Sequence, residues 1–236
     1  MEIWAHRGCS LKYPENTIEA FEAAAKLPDI YGIELDVQLS KDDQLVVIHD
    51  ETLERTTARF GNVKDFTFTE MERFSKIPTL EQVLDFLKPY MAEGLHLNIE
   101  LKNSKIPYEG MEQKVLDMIN KYGVEDKTVY SSFNPDSMRL MKEMNSDANV
   151  AVLGKSALDC LNAATYNVHC NAIHPYIRNL DCPKFALEEM DVRVWTRDPL
   201  YPKDPLFNPK HNIDSLKRKG ATGIFVNNPE EYLKIF

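Results

Sequence analysis

The chain has 236 residues, 43% apolar and 28% charged, enough to bury a full core without staples, which excludes a disulfide miniprotein. Its 28 Lys and Arg stand against 37 Asp and Glu, a formal charge of -9 without a long basic cluster, so neither nucleic acid nor an anionic membrane face is an expected partner. No run of about 18 apolar residues occurs and the start, MEIWAHRG, lacks a basic region followed by an apolar stretch, so no span, stable membrane association or export is expected. The four cysteines, Cys9, Cys160, Cys170 and Cys182, show no zinc or redox spacing and read as reduced thiols in a cytoplasmic protein.

Taken in order, short runs rich in Val, Ile and Tyr at 3 to 5, 32 to 37, 97 to 101, 128 to 131, 150 to 153, 171 to 174, 192 to 195 and 223 to 226 predict eight strands. Helical spacing predicts a first helix capped by Asn16 and Glu19 ahead of Ile18, Phe21 and Ala25. Further helices are expected at 79 to 90, 110 to 121, 135 to 144, 156 to 166, 183 to 190, 211 to 219 and 229 to 235. Strand then helix, repeated through this length, predicts an α/β fold, a distorted (β/α)8 TIM barrel in one domain spanning 1 to 236. A ninth strand-like run, 45 to 49, follows 32 to 37 after too few residues for a parallel crossover, so it must return as a β-hairpin. Folding back about Asp42 brings His49 level with 34 to 36. Residues 51 to 78 have weak periodicity and read as a small insertion at the barrel mouth, and the proline-rich stretch Arg197 to Asn212 reads as a long loop.

Strand ends at the C-terminal rim of a barrel carry its chemistry. They gather His6, Arg7, Glu34, Asp36, Glu100 and Lys102, with His49 added by the hairpin. Alternation points Glu34 with Asp36, and Glu100 with Lys102, toward one face. Three carboxylates so placed repel one another unless protonated or bridged by a cation, and an all-oxygen set suits Mg2+ or Ca2+ better than zinc. Arg7 and Lys102 beside that ion suit a phosphate, and His6 and His49 titrate near neutrality, as proton transfer at an attacking and a leaving oxygen requires. Singly, each feature fits an ordinary turn, a solvated strand end or a rim ion pair. Lys102 as a Schiff-base lysine is disfavoured because the acidic cluster favours its charged form. The joint occurrence predicts phosphoester cleavage. His174 and Trp195 are expected as substrate-side residues, while His96, His169 and His211 read as structural or solvent-facing, and Cys9 as a bystander.

These residues resemble a known family, the glycerophosphodiester phosphodiesterases, within the superfamily of phosphatidylinositol-specific phospholipase C. The resemblance rests on His6-Arg7-Gly8, Pro14-Glu15-Asn16-Thr17 with Ala20-Phe21, Glu34-Leu35-Asp36-Val37, His49-Asp50 with Leu53 and Arg55-Thr56-Thr57, and Glu100-Leu101-Lys102. Weaker echoes follow in Ser132-Phe133-Asn134, Val194-Trp195-Thr196, Gly223-Ile224 and Asn227-Asn228-Pro229, so it spans the chain. It implies that Glu34, Asp36 and Glu100 bind one divalent cation, that His6 and His49 are the acid/base pair, and that Arg7 and Lys102 hold the phosphate of a small glycerophosphodiester. The implied reaction yields sn-glycerol 3-phosphate and a free alcohol, through attack by the glycerol 2-hydroxyl or by water.

Two departures, Arg197-Asp198 after Trp195-Thr196 and Asn228 before Pro229, bear on which alcohol is accepted. Arg197 there either favours an anionic head group or faces solvent. A lysophospholipase D or sphingomyelinase D-like enzyme needs an apolar groove for an acyl chain, and no such stripe is evident. A non-catalytic phosphometabolite-binding barrel predicts loss of a histidine, yet both remain. A metal-dependent aldolase or isomerase fits the paired histidines and Arg7 less well, although fold alone does not decide.

Overall fold

The computed structural model describes residues 1 to 197 and 210 to 234. Eight parallel strands close into a barrel: β1 (Glu2–His6), β2 (Gly32–Leu39), β4 (His96–Leu101), β5 (Thr128–Ser132), β6 (Val150–Gly154), β7 (Ala172–Pro175), β8 (Asp191–Val194) and β9 (Gly223–Val226), with β1 hydrogen-bonded to both β2 and β9. The expected hairpin is present. Strand β3 (Leu45–Val47) pairs antiparallel with β2 in the register Val37 to Val47, and Ile48 N donates to Asp36 O at 3.0 Å. Helices α1 (Ile18–Ala25), α2 (Phe68–Glu72), α3 (Leu80–Ala92), α4 (Met111–Tyr122), α5 (Pro135–Met144), α6 (Ala157–Ala163), α7 (Ile213–Arg218) and α8 (Pro229–Leu233) complete the described elements.

Two local expectations are corrected. Thr17, not Asn16, caps α1, its hydroxyl accepting from Ala20 N, because the Asn16 side chain is drawn to Asp36 instead. The segment 183 to 190 is a 3-10 turn, Lys184–Leu187, with one buried residue, Leu187, too little apolar surface to hold an α-helix against the barrel. The proline-rich loop expected from Arg197 to Asn212 lies, over 198 to 209, outside the described residues.

Inward residues of the strands form two layers. The lower one packs Trp4, Val129, Ala151, Ala172 and Phe225. Trp4 fits only because β2 opens with glycine: a Cβ on Gly32 would lie 2.4 Å from the Trp4 ring. Below it, buried Arg193 pairs with Glu2 at 2.7 Å and Asp191 at 3.1 Å and lies 5.4 Å from the Trp4 ring. Charge pairing thus closes the N-terminal end and leaves the C-terminal end open. Outside, Ile33, Leu35, Val37, Leu97 and Ile99 pack against the helices.

The segment 51 to 78 covers the hairpin. Val46 and Ile48 turn from the barrel core to pack with Leu53, Val63 and Met71. The β2–β3 turn is tied to it by Asp42, whose Oδ1 accepts from Phe68 N at 2.9 Å. His49 therefore sits on a braced strand end, not a free loop.

Candidate active site

The open end holds a cavity of about 660 Å³ lined by His6, Arg7, Glu34, His49, Glu100 and Lys102, with His174, Phe225 and Trp195 across from them. Asp36 lies just behind Glu34 and is fully buried. Every site residue expected from the sequence is thus at one cavity or directly behind it.

Backbone geometry at the first strand end positions two of them. Arg7 turns into the left-handed region, φ 56°, followed by Gly8 at φ 79°. That turn aims the Arg7 amide at Glu34, donating to Oε2 at 2.9 Å. Gly8 has no alternative, since a Cβ there would lie 2.6 Å from the Ala20 carbonyl. Gly8→Ala is therefore expected to destabilise the fold by about 2 kcal/mol or more through backbone strain and clash. The corresponding fall in Tm of roughly 4–8 °C can be read in a thermal melt; an unchanged melt would remove glycine's role at this turn.

The acidic triad comes together as expected. Glu34, Asp36 and Glu100 each offer an oxygen within 4.8 Å of the others. Glu34 Oε1 and Asp36 Oδ1 are buried without a hydrogen-bond partner among the described residues, a state that costs free energy unless a cation or proton satisfies them. Burial, then the charge of Asp36, pushes the Glu34 carboxyl well above its ordinary range. Burial acts on Asp36 in the same sense, but Arg7, His49, Lys102 and the Asn16 amide outweigh it and hold Asp36 below its ordinary value. The buried oxygen set fits a hard divalent ion.

Cations flank the triad. Arg7 Nη1 donates to Glu15 Oε1 at 2.7 Å and its Nε lies 3.3 Å from Asp36 Oδ2. Lys102 Nζ lies 2.7 Å from Glu100 and 3.8 Å from Asp36. Burial opposes the Lys102 charge, but Glu100 and Asp36 together raise its pKa. Lys102 is therefore an ammonium, which bars the Schiff-base role.

Each of His6 and His49 is held through Nδ1, leaving Nε2 for the cavity. His6 Nδ1 meets Asn227 Oδ1 at 2.7 Å, and His49 Nδ1 meets Asp50 Oδ1 at 2.6 Å. The proton is assigned to Nδ1 in both because the partner oxygens accept. Burial, then Arg7, pushes His6 down to about 3. The 3.9 Å approach of His6 Nε2 to Glu34 is therefore a neutral contact and not an ion pair. Buried Gln38 pins the strand end that carries His49, its amide donating to the carbonyls of Ile48, His49 and Asp50 at 3.1, 3.2 and 2.6 Å.

A chain of opposite charges joins the two halves. Asp50 Oδ2 accepts from Arg55 Nε at 2.5 Å, Arg55 grips Glu15 with two nitrogens at 2.5 and 2.8 Å, and Glu15 grips Arg7. Asp50 and Glu15 are held below their ordinary values: burial acts to raise both, and their hydrogen bonds and charges to His49, Arg55 and Arg7 outweigh it. In the sequence Glu15, Asp50, Arg55 and Asn227 stand only as motif letters, and Asn16 reads only as a helix cap. Their spacing carried no sign that residues up to 221 apart would bond. Asp50→Asn keeps the shape of the His49 partner and removes its charge, so kcat is expected to fall about 100-fold with KM little changed. Steady-state kinetics decide; a normal kcat would remove Asp50 from catalysis.

The remaining expectations fall on the far wall. His174 is buried with both ring nitrogens unpartnered among the described residues and lies 5.0 Å from Phe225, centre to centre. Burial, then Arg193, pushes its pKa well down, so it faces the cavity as a neutral imidazole. Trp195 donates its indole N–H to Gly154 O at 2.9 Å and presents its ring at the rim. His96 stacks on Tyr31 at 4.5 Å, away from the site. Cys9 is buried and free, its thiol pushed up to about 12 by burial.

Residues 6–231 match the model of the glycerophosphoryl diester phosphodiesterase family. A Bacillus altitudinis glycerophosphodiester phosphodiesterase is 34% identical over 246 residues, covering 99% of this chain and 97% of its own. One from Caldanaerobacter subterraneus is 34% identical over 251 residues, covering 99% and 96%. The fold is shared with an Oleispira antarctica phosphodiesterase solved with its product sn-glycerol-3-phosphate, at a TM-score of 0.80 and 22% identity over 99% of this chain and 96% of that one. The chain belongs to the glycerophosphoryl diester phosphodiesterase family.

Proposed function

We propose that the protein is a divalent-metal-dependent hydrolase of glycerophosphodiesters, releasing sn-glycerol 3-phosphate and an alcohol. The observation that carries this is the meeting of two Nδ1-anchored imidazoles, Arg7 and Lys102 with three gathered carboxylates at one cavity. Glu34, Asp36 and Glu100 would hold Mg2+ or Ca2+, which when bound stabilises negative charge on the reacting phosphate. Arg7 and Lys102 bind the other phosphate oxygens. The 34% identical relatives named as glycerophosphodiester phosphodiesterases support the same assignment.

In the first step the glycerol 2-hydroxyl attacks phosphorus, forming the O2–P bond as the P–O bond to the alcohol breaks. His6, neutral with Nε2 unprotonated, takes the hydroxyl proton, and His49, which enters the step as the imidazolium that Asp50 stabilises, delivers one to the departing alkoxide. Water then opens the cyclic phosphate with the roles reversed, His49 taking a proton from the water and His6 returning one to O2, which restores both rings to their starting forms and leaves glycerol 3-phosphate. The closed floor suits the three-carbon arm: Leu153 and Phe225 offer apolar contact, while His174 and Asn98 Oδ1, buried and unpartnered among the described residues, meet hydroxyls. Trp195 covers the carbon skeleton at the rim.

The test is glycerol 3-phosphate release from glycerophosphocholine, glycerophosphoethanolamine and glycerophosphoglycerol by metal-stripped protein with Mg2+, Ca2+ or nothing added back. Metal-restored release is expected; folded protein inert with every diester and metal would overturn the proposal. A diester of propane-1,3-diol, lacking the 2-hydroxyl, is expected to resist cleavage, whereas normal turnover would replace the cyclic route by direct attack of water.

A further inference from the structure

On the hydrolase reading above, the glycerol arm occupies the closed floor and the alcohol leaves through the open rim. The rim is strongly cationic, but its cations are not equivalent. Arg55 is engaged by Asp50 and Glu15, and Lys105 by Glu51 at 3.0 Å. Lys155, one residue beyond β6, and Arg197, just past the end of β8, line the same cavity and pair with no carboxylate among the described residues.

Arg197 also occupies a feature that a cationic alcohol would require. The rings of Tyr176 and Trp195 lie 4.8 Å apart at 40°, and Phe133 meets Trp195 edge-on at 5.8 Å. Such a cluster attracts a quaternary ammonium. Here the Arg197 guanidinium already lies over both faces, 5.5 Å from the Tyr176 centre and 5.8 Å from that of Trp195. A choline arriving at this wall meets filled aromatic faces and two positive charges. A carboxylate or phosphate on the alcohol meets the guanidinium fork and an ammonium instead.

We propose that the Lys155–Arg197 wall is a leaving-group subsite selecting glycerophosphodiesters whose alcohol carries negative charge. Cation–π contact with two rings restrains the Arg197 side chain, so less of its rotamer freedom is lost on gripping an oxyanion. The wall belongs to the departing alcohol and not to the scissile phosphate, which the opposite side of the barrel holds through Arg7 and Lys102.

The test measures kcat/KM with Mg2+ for four diesters of glycerol phosphate, with 3-hydroxypropanoate, glycerol, ethanolamine and choline as the alcohols, in the native protein, Lys155→Ala and Arg197→Ala. The hydroxypropanoate diester is expected to exceed the choline diester by about tenfold, a ratio reachable by two partly exposed charges and shrinking as salt rises. Arg197→Ala both removes a charge and uncovers the aromatic faces, so it is expected to reverse the ratio in favour of choline; Lys155→Ala, which uncovers nothing, only reduces it. Thermal melts of both variants check the fold. Equal cleavage of all four diesters, or ratios unmoved by either substitution in folded protein, would overturn the subsite while leaving the hydrolase reading intact. Cleavage of none would overturn the hydrolase reading instead.

Discussion

Replacing His49 by alanine is expected to lower kcat by about 100- to 10,000-fold, the range a positioned acid/base group supplies, with a much smaller change in KM. The ring is part-exposed and its polar contact is with Asp50, itself secured by Arg55, so the variant should fold normally. His6→Ala is expected to match it in kcat. His6 is held by the neutral amide of Asn227 and His49 by a carboxylate, so the two are matched to opposite halves of one proton-transfer cycle. Because both must act in each turnover, the double variant should be little worse than either single one. Steady-state kinetics on a glycerophosphodiester decide, with circular dichroism to confirm folding. Near-normal turnover in either single variant would remove that imidazole from the mechanism, and fully additive losses would show that the two do not act as a unit.

The site was legible in the sequence where it follows from period-two alternation. Glu34 with Asp36 and Glu100 with Lys102 needed only the knowledge that strand residues two apart share a face, and His49 needed only the impossibility of a parallel crossover through five residues. The barrel was legible for the same reason, since β-branched runs separated by helical spacing admit few topologies. What escaped was long-range polar capture. Asn16 looks like a helix cap, and a local rule has no means of knowing that Asp36 competes for its amide at 2.8 Å; Thr17, one residue on, takes the cap. The Asp36–Arg7–Glu15–Arg55–Asp50–His49 chain is likewise invisible, because each link spans a turn or an insertion whose path only the folded chain fixes. The 183 to 190 segment escapes for another reason: apolar spacing does not reveal that Leu187 alone of its turn is buried, too little apolar surface to hold an α-helix.

Glu34→Gln is expected to move stability and activity in opposite directions, which separates a metal ligand from a merely structural carboxylate. In metal-free protein the Glu34 carboxyl titrates well above its ordinary value, through burial and then through Asp36. Linkage sets the sign: a group whose folded pKa exceeds its unfolded value, about 4.3 for Glu, contributes stability that is complete below that value and is lost as pH rises through the folded pKa. Glutamine cannot ionise, so the metal-stripped variant should melt higher than the metal-stripped native protein near neutrality, and the gap should close in acid. Asp36, Asp50 and Glu15 carry the opposite sign. Their contribution is present above the unfolded carboxyl pKa and lost as pH falls through the lower folded values, so both proteins should weaken together in acid. Added Mg2+ or Ca2+ should raise the melting temperature of the native protein, since an ion that binds only the folded state stabilises it, and should do far less for the variant. Loss of one of three ligands is expected to lower kcat/KM about 100-fold or more, because a bound ion supplies several kcal/mol to the transition state and each 1.36 kcal/mol is a factor of about ten. A variant that melts lower without metal, yet keeps the native rise on adding it, would refute Glu34 as a ligand even if activity fell.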